Sequence, residues 1–111
     1  MTVTVKGLIP AKIAEASQTT QYTATGVTTI IDKFTATNYS ASAATISVNL
    51  VTSADTAGNQ NLVTKTKSLQ PAEVYTFPEL VGQVLAPSGF ISTIAGTATS
   101  INIRASGREV T

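Results

Sequence analysis

Ala44-Thr45-Ile46-Ser47-Val48-Asn49-Leu50-Val51-Thr52 alternates apolar or small residues with polar ones. Successive side chains of an extended strand point to opposite faces of a sheet, so a period of two marks a half-buried β-strand. Ile46, Val48 and Leu50 are expected to face a core, with Thr45, Ser47 and Asn49 facing outward. Ser100-Ile101-Asn102-Ile103-Arg104-Ala105-Ser106 repeats the pattern, with Ile101, Ile103 and Ala105 on one face and Asn102 and Arg104 on the other. Because a one-residue slip would expose every apolar side chain, the register of both strands should be firmly set.

Working outward, the intervening pieces also read as strands. Ile9, Ala11 and Ile13 alternate with Pro10 and Lys12, and Gln18 to Ala24 is a Thr-rich run around Tyr22. Thr29 to Thr37 is read with Ile30, Phe34 and Ala36 on one face. Leu62 to Ser68, Val74 to Phe77 and Phe90 to Ala95 follow. Breaks are expected at Gly7, Gly26, Asn38 to Ser42, Ser53 to Asn61, Pro71, Pro87-Ser88-Gly89, Gly96 and Gly107. About eight short strands at this spacing predict an all-β, antiparallel sandwich or barrel. One piece departs from the pattern. Glu79 to Leu85 places Leu80, Val81, Val84 and Leu85 at i, i+1, i+4 and i+5, which predicts a short helical turn bounded by Pro78 and Pro87.

The chain has 111 residues, the size of one domain, so residues 1–111 are read as a single sandwich. Only 12% of the residues are charged, against about 25% in an ordinary soluble domain. Thr, Ser and Ala replace the missing charge. Such a surface stays wettable yet avoids desolvating ions when it meets another surface, which suits a protein packed against neighbours. It suits an extracellular sandwich almost as well.

The formal net charge is +1, with the basic residues scattered, so nucleic acid is not an expected partner. Three Tyr, three Phe and no Trp leave little to stack on bases or sugars. No cysteine is present for a disulfide or thiolate metal site. The start of the chain has no secretory pattern and no apolar run approaches membrane-spanning length, so synthesis in the cytoplasm and no membrane contact are expected.

A hydrolytic triad wants a base titrating near neutrality, and the chain has no histidine. G-x-S-x-G is absent. Glu73 and Glu79 bracket a strand and would be the candidates for a glycosidase pair, but a turn carboxylate and a helix-end carboxylate are the simpler readings. No enzyme activity, cofactor or metal is therefore expected. Asp55-Thr56-Ala57-Gly58-Asn59-Gln60-Asn61 has too few carboxylates for a hard cation and reads as a polar turn. Asn38-Tyr39-Ser40 matches a glycosylation sequon and reads as an Asx-type turn. Lys65 and Lys67 read as a charged strand edge. Met1 to Lys12, with Gly7 and Pro10, reads as an extended N-terminal arm tied down by a neighbour, against the alternative of a first strand paired in its own sandwich. The candidate partner-contact residues are Val5, Leu8, Ile9, Lys12, Arg104 and Arg108.

Three stretches carry a resemblance: Ile31-Asp32-Lys33-Phe34-Thr35-Ala36-Thr37-Asn38, the run from Ser68 to Leu85, and Ile101 to Thr111. Together they resemble small virion proteins of tailed bacteriophages, in particular the capsid cement, or staple, proteins of epsilon-fifteen-like short-tailed phages. The resemblance implies a jelly-roll-like sandwich, a homodimer on the outer capsid surface that clamps major capsid protein subunits, assembled in the host cytoplasm. It brings no catalytic residues. Where such proteins tend to have Pro-Gly-Glu, this chain has Pro71-Ala72-Glu73, so a type I turn, which needs no positive φ, is expected. A head-to-tail junction or tail role is the second reading. A carbohydrate-binding sandwich is the third, and the shortage of aromatic residues argues against it.

Overall fold

The computed structural model describes residues 1–111 and contains nine strands. They are β1 (Val3–Ile13), β2 (Thr19–Thr23), β3 (Thr28–Asn38), β4 (Ala44–Val51), β5 (Leu62–Leu69), β6 (Val74–Tyr75), β7 (Val84–Leu85), β8 (Phe90–Ala95) and β9 (Ile101–Val110). Two antiparallel sheets pack face to face. The first has the order β1-β9-β3-β6, with β7 also on β3; the second has the order β2-β8-β4-β5. Strands β6 and β7 share one lateral position, pairing with opposite ends of β3 at Ala36 and Thr37 and at Thr29 and Ile30. Counting them as one position, the order is that of a jelly roll.

The alternating strands behave as their pattern requires. Ile46 and Val48 of β4 and Ile101, Ile103 and Ala105 of β9 lie in one core of 20 buried residues, while Leu50 packs against it partly buried. Phe34 and Phe77 meet edge-on at the centre, with ring centroids 4.7 Å apart. Burying each such side chain is worth about 1.5–3 kcal/mol. Ser47 and Asn49 face away from this core yet are buried too. The segment after β4 folds back over them: Asn49 Nδ2 donates to Gly58 O at 3.0 Å and to Asn61 Oδ1 at 2.8 Å. Ser47 Oγ accepts the Thr66 N–H at 2.7 Å, where β5 bulges.

Five expectations need correction. Glu79 to Leu85 is not helical; the only helical element is a 3-10 turn, Asn59–Asn61. Leu80 N–H bonds to Phe77 O and Gln83 N–H to Leu80 O, two consecutive tight turns, and Gly82 has φ +85°. Strand β3 captures the backbone that a helix would need: Gly82 N–H donates to Ile31 O at 2.7 Å and Ile31 N–H to Gln83 O at 3.0 Å. Leu80 and Leu85 enter the core while Val81 and Val84 stay exposed, so the apparent helical stripe is divided between inside and outside.

Met1 to Lys12 is likewise not a free arm. Strand β1 pairs with β9 from Val3↔Val110 to Ile13↔Asn102, and Leu8 and Ile9 fill the core. Ile30 does not share a face with Phe34 and Ala36. A bulge between Ile31 and Lys33 inserts Asp32 and changes the phase, so that Ile31, Phe34 and Ala36 point inward. Ala72 has φ +67°, with Glu73 N–H bonded to Gln70 O at 3.0 Å, which excludes the expected type I turn. Hydrogen bonds from Ala72 N–H to Asn38 O and from Asn38 N–H to Glu73 O hold the alanine there. Finally, neither glycine expected to break a terminal strand does so: Gly7 lies inside β1 and Gly107 inside β9. A Cβ at Gly107 would stand 2.1 Å from Ile30 O, so the close approach of β3 requires glycine.

Candidate protein-binding surface

The outer face of the five-stranded sheet mixes exposed apolar and charged side chains. The ladder register sets Val5, Arg108, Ile30 and Val84 in one row across β1, β9, β3 and β7. Val3, Val110 and Thr28 form the next row. Val5 is 82% exposed, Val84 57% and Val3 51%; Val84 lies on a strand whose next residue, Leu85, is buried, whereas the first half of β1 is exposed on both faces. Arg108 is held within this apolar strip by Asp32, which accepts from Nε at 3.0 Å and from a terminal guanidinium nitrogen at 2.9 Å.

Further along the same face, Arg104 lies opposite Thr35 and Lys33 opposite Ser106. These four side chains line a shallow depression. Arg104 and Lys33 are exposed and neither makes an ion pair. The face therefore runs from an apolar end to an unneutralised cationic middle, an arrangement that fits a protein partner presenting apolar and acidic side chains.

Of the six residues predicted to touch a partner, Val5, Arg104 and Arg108 lie on this face. Lys12 is on the rim, paired with Glu15 at 2.9 Å. Leu8 and Ile9, at 4% and 0% exposure, belong to the core and are removed from the candidate surface. Val3, Ile30, Lys33, Val84 and Val110 belong to the surface but escaped the reading of the sequence. Val3 and Val110 carry the signal: both keep step with Val5 and Arg104 in period two. The others depend on the Asp32 bulge and on the turns before β7.

The remaining candidate groups are engaged in holding the sandwich together. Glu79 accepts from Thr64 Oγ1 at 2.5 Å and from the Tyr75 hydroxyl at 2.6 Å, while Lys67 lies 4.8 Å from the centre of the Tyr75 ring. Burial pushes the Glu79 carboxyl up, but the Thr64 and Tyr75 hydrogen bonds and the Lys67 charge outweigh it and hold it below its usual range. Glu73 caps its own turn, accepting the Gln70 N–H at 2.7 Å. Between the sheets, Glu109 accepts from the Tyr22 hydroxyl at 2.5 Å and lies 3.3 Å from Lys6 Nζ. The Tyr22 hydrogen bond, with help from Lys6, holds Glu109 low. Burial and then Glu109 push Tyr22 up to about 12.

Asp55 accepts from the Thr56 N–H at 2.8 Å, with Gln60 and Asn61 on its other flank, so its loop is an internally bonded polar turn. No cluster of three or more carboxylate, histidine or cysteine side chains is placed to hold a metal ion. Asn38 is fully buried, its Nδ2 donating to Ser42 O and Leu69 O and its Oδ1 accepting from Ser40, the Asx-type turn expected of it. No family model, curated protein or solved structure matches the chain.

Proposed function

We propose that this protein is a structural virion component that decorates and staples a phage capsid, bridging major capsid protein subunits from outside. One observation carries the reading. Apart from Ser68 and Leu69 at the end of β5, the three stretches that resemble capsid cement proteins fall on β3, on the β6 to β7 segment and on β9, adjacent positions of one sheet. The outer face of that sheet is the mixed apolar and cationic surface described above. A low-charge jelly roll offering such a face docks on several subunits at once, and modest contacts then sum because each bound contact raises the effective concentration of the next. Its contribution is mechanical: the bridge adds binding energy to the assembled shell.

Co-sedimentation with capsids assembled without this protein tests the reading. Wild-type protein pellets with the particles. A Lys33→Glu, Arg104→Glu double variant retains its melting temperature, because both side chains are exposed and unpaired, and binds at least about tenfold more weakly. Wild-type protein left in the supernatant contradicts the reading. Electron microscopy of gold-labelled protein on the same particles separates decoration over the whole shell from attachment at a single vertex, the sign of a head-to-tail junction.

A further inference from the structure

A jelly roll of two open sheets leaves four edges, and an unpaired edge recruits other strands unless something blocks it. Three edges here are blocked. Strand β5 carries Lys65 and Lys67 and bulges around Thr66, whose φ is +43°. Strand β2 has only five residues and a register shift between Thr20 and Tyr22. The β6 and β7 edge is broken into two-residue pieces. Strand β1 guards its second half with Pro10 and two register shifts, from Gly7 to Lys12. Its first half, Val3-Thr4-Val5-Lys6-Gly7, keeps one register throughout and carries a single charged residue, Lys6.

The direction of the free backbone groups in that half follows from the ladder. Thr2 and Thr111 exchange both of their hydrogen bonds, at 3.2 and 3.0 Å. In an antiparallel pair such exchanges recur at every second residue, so Thr4 with Glu109 and Lys6 with Gly107 are the next bonded pairs. The N–H and C=O groups of Val3, Val5 and Gly7 therefore point away from β9, toward open solvent. Five residues of edge strand in unbroken register, carrying two exposed valines, make a template for one more strand.

We infer that the strand it takes is β1 of a second copy, in an antiparallel two-fold pair centred on Val5. Centred there, Val5 faces Val5 of the partner and Val3 faces Gly7 of the partner, each pair exchanging both backbone hydrogen bonds. The edge is its own complement in charge. Lys6, the one ionised side chain in the stretch, falls opposite Thr4 of the partner and is already neutralised by Glu109 at 3.3 Å. Val3, Val5 and Val110 of both copies join into one apolar strip across the seam. The two five-stranded sheets become a single continuous sheet, and both mixed faces look the same way, as a bivalent clamp on one surface requires. The edge geometry stands by itself and does not depend on the capsid reading.

Because Val5 lies on the two-fold axis, charge there gives a specific test. Sedimentation velocity at micromolar concentration reads wild-type protein as a dimer. Val5→Lys and Val5→Glu, each placing like charges face to face, weaken dimerisation at least about tenfold. An equimolar mixture of the two variants recovers a dimer, since lysine then faces glutamate. Amide exchange at Val3, Val5 and Gly7 is slow in the wild type and fast in either single variant. The inference is overturned by a wild-type monomer, by a dimer that both variants leave intact, or by a mixture that associates no better than its components. It is also overturned by fast exchange at Val5 in the dimer. Capsid binding is scored separately, so a dimer that fails to bind particles contradicts the proposed function and leaves this interface standing.

Discussion

Ala72 holds a left-handed conformation that costs a residue with a Cβ about 1–2 kcal/mol. Replacing it by glycine removes the penalty at some cost in chain entropy, so Ala72→Gly should stabilise the protein by about 0.5–1 kcal/mol and raise the melting temperature by a few degrees. The opposite holds at Gly107, where any Cβ meets the Ile30 carbonyl. Gly107→Ala should lower stability by at least about 2 kcal/mol in a denaturant titration. Neither result was legible in the sequence. A proline two residues before Glu73 announces a turn but not its type, and the glycine in β9 reads as a break until the bulge in β3 shows why a glycine sits there.

The charged residues also set a pH window. The carboxyls of Glu15, Asp55, Glu79 and Glu109 are all held below their usual values by hydrogen bonds. A depressed folded-state pKa means that the unfolded chain binds the proton more tightly, so the stability is fully present above about pH 4.5 and is lost as pH falls through the lower folded values. Tyr22 and Tyr75, pushed up from 10.0 to about 12, act with the opposite sign: their contribution is complete below pH 10 and disappears as pH rises toward 12. The melting temperature should therefore be flat across neutrality and fall at both ends. Glu109→Gln should lower it at neutral pH and make its acid limb shallower. An acid limb unchanged in Glu109→Gln would remove that carboxylate from the account.

Among the elements, the strands with strict alternation were legible from their residues alone. Strands β4 and β9 follow their patterns because one face of each is packed by the opposite sheet, and packing enforces period two. Ile103→Ala, at a site with no exposure, should cost about 2–5 kcal/mol, and Ile103→Asp should abolish folding. The elements that misled are those whose structure depends on a distant partner. The Glu79 to Leu85 turns exist because Ile31 offers both of its backbone groups to them. The phase of β3 depends on Asp32, which is pushed out of the ladder and taken up by Arg108. Strand β1 forms because β9 runs on to Val110 beside it. Deleting residues 1–7 removes the first half of that pairing and uncovers Leu8, so the truncated chain should melt well below the parent. An unchanged melting temperature would mean that the first half of β1 contributes nothing to the stability of the fold.

At the scale of the whole molecule, the chain has a radius of gyration of 13.5 Å, close to the roughly 13 Å expected of a compact domain this long. Almost all of its titratable and polar side chains that leave solvent find partners within the sandwich, and no buried side-chain nitrogen or oxygen lacks one. The five-stranded sheet gathers several features that the fold leaves unsatisfied: the apolar strip around Val5, the free cations Lys33 and Arg104, and the backbone edge at Val3 to Gly7. The candidate surface was legible where alternation placed Arg104 outward; Val5 and Arg108 were reached only by reading the two ends of the chain as partner contacts, and the rest was illegible because it depended on which strands become neighbours. These features together support a protein completed by assembly, and the proposed assembly is a capsid. The most direct test is the copy number of this protein in purified virions that carry its gene, measured by quantitative mass spectrometry against the major capsid protein. The account predicts hundreds of copies per particle, in fixed proportion to the capsid protein; a dozen or fewer would contradict it.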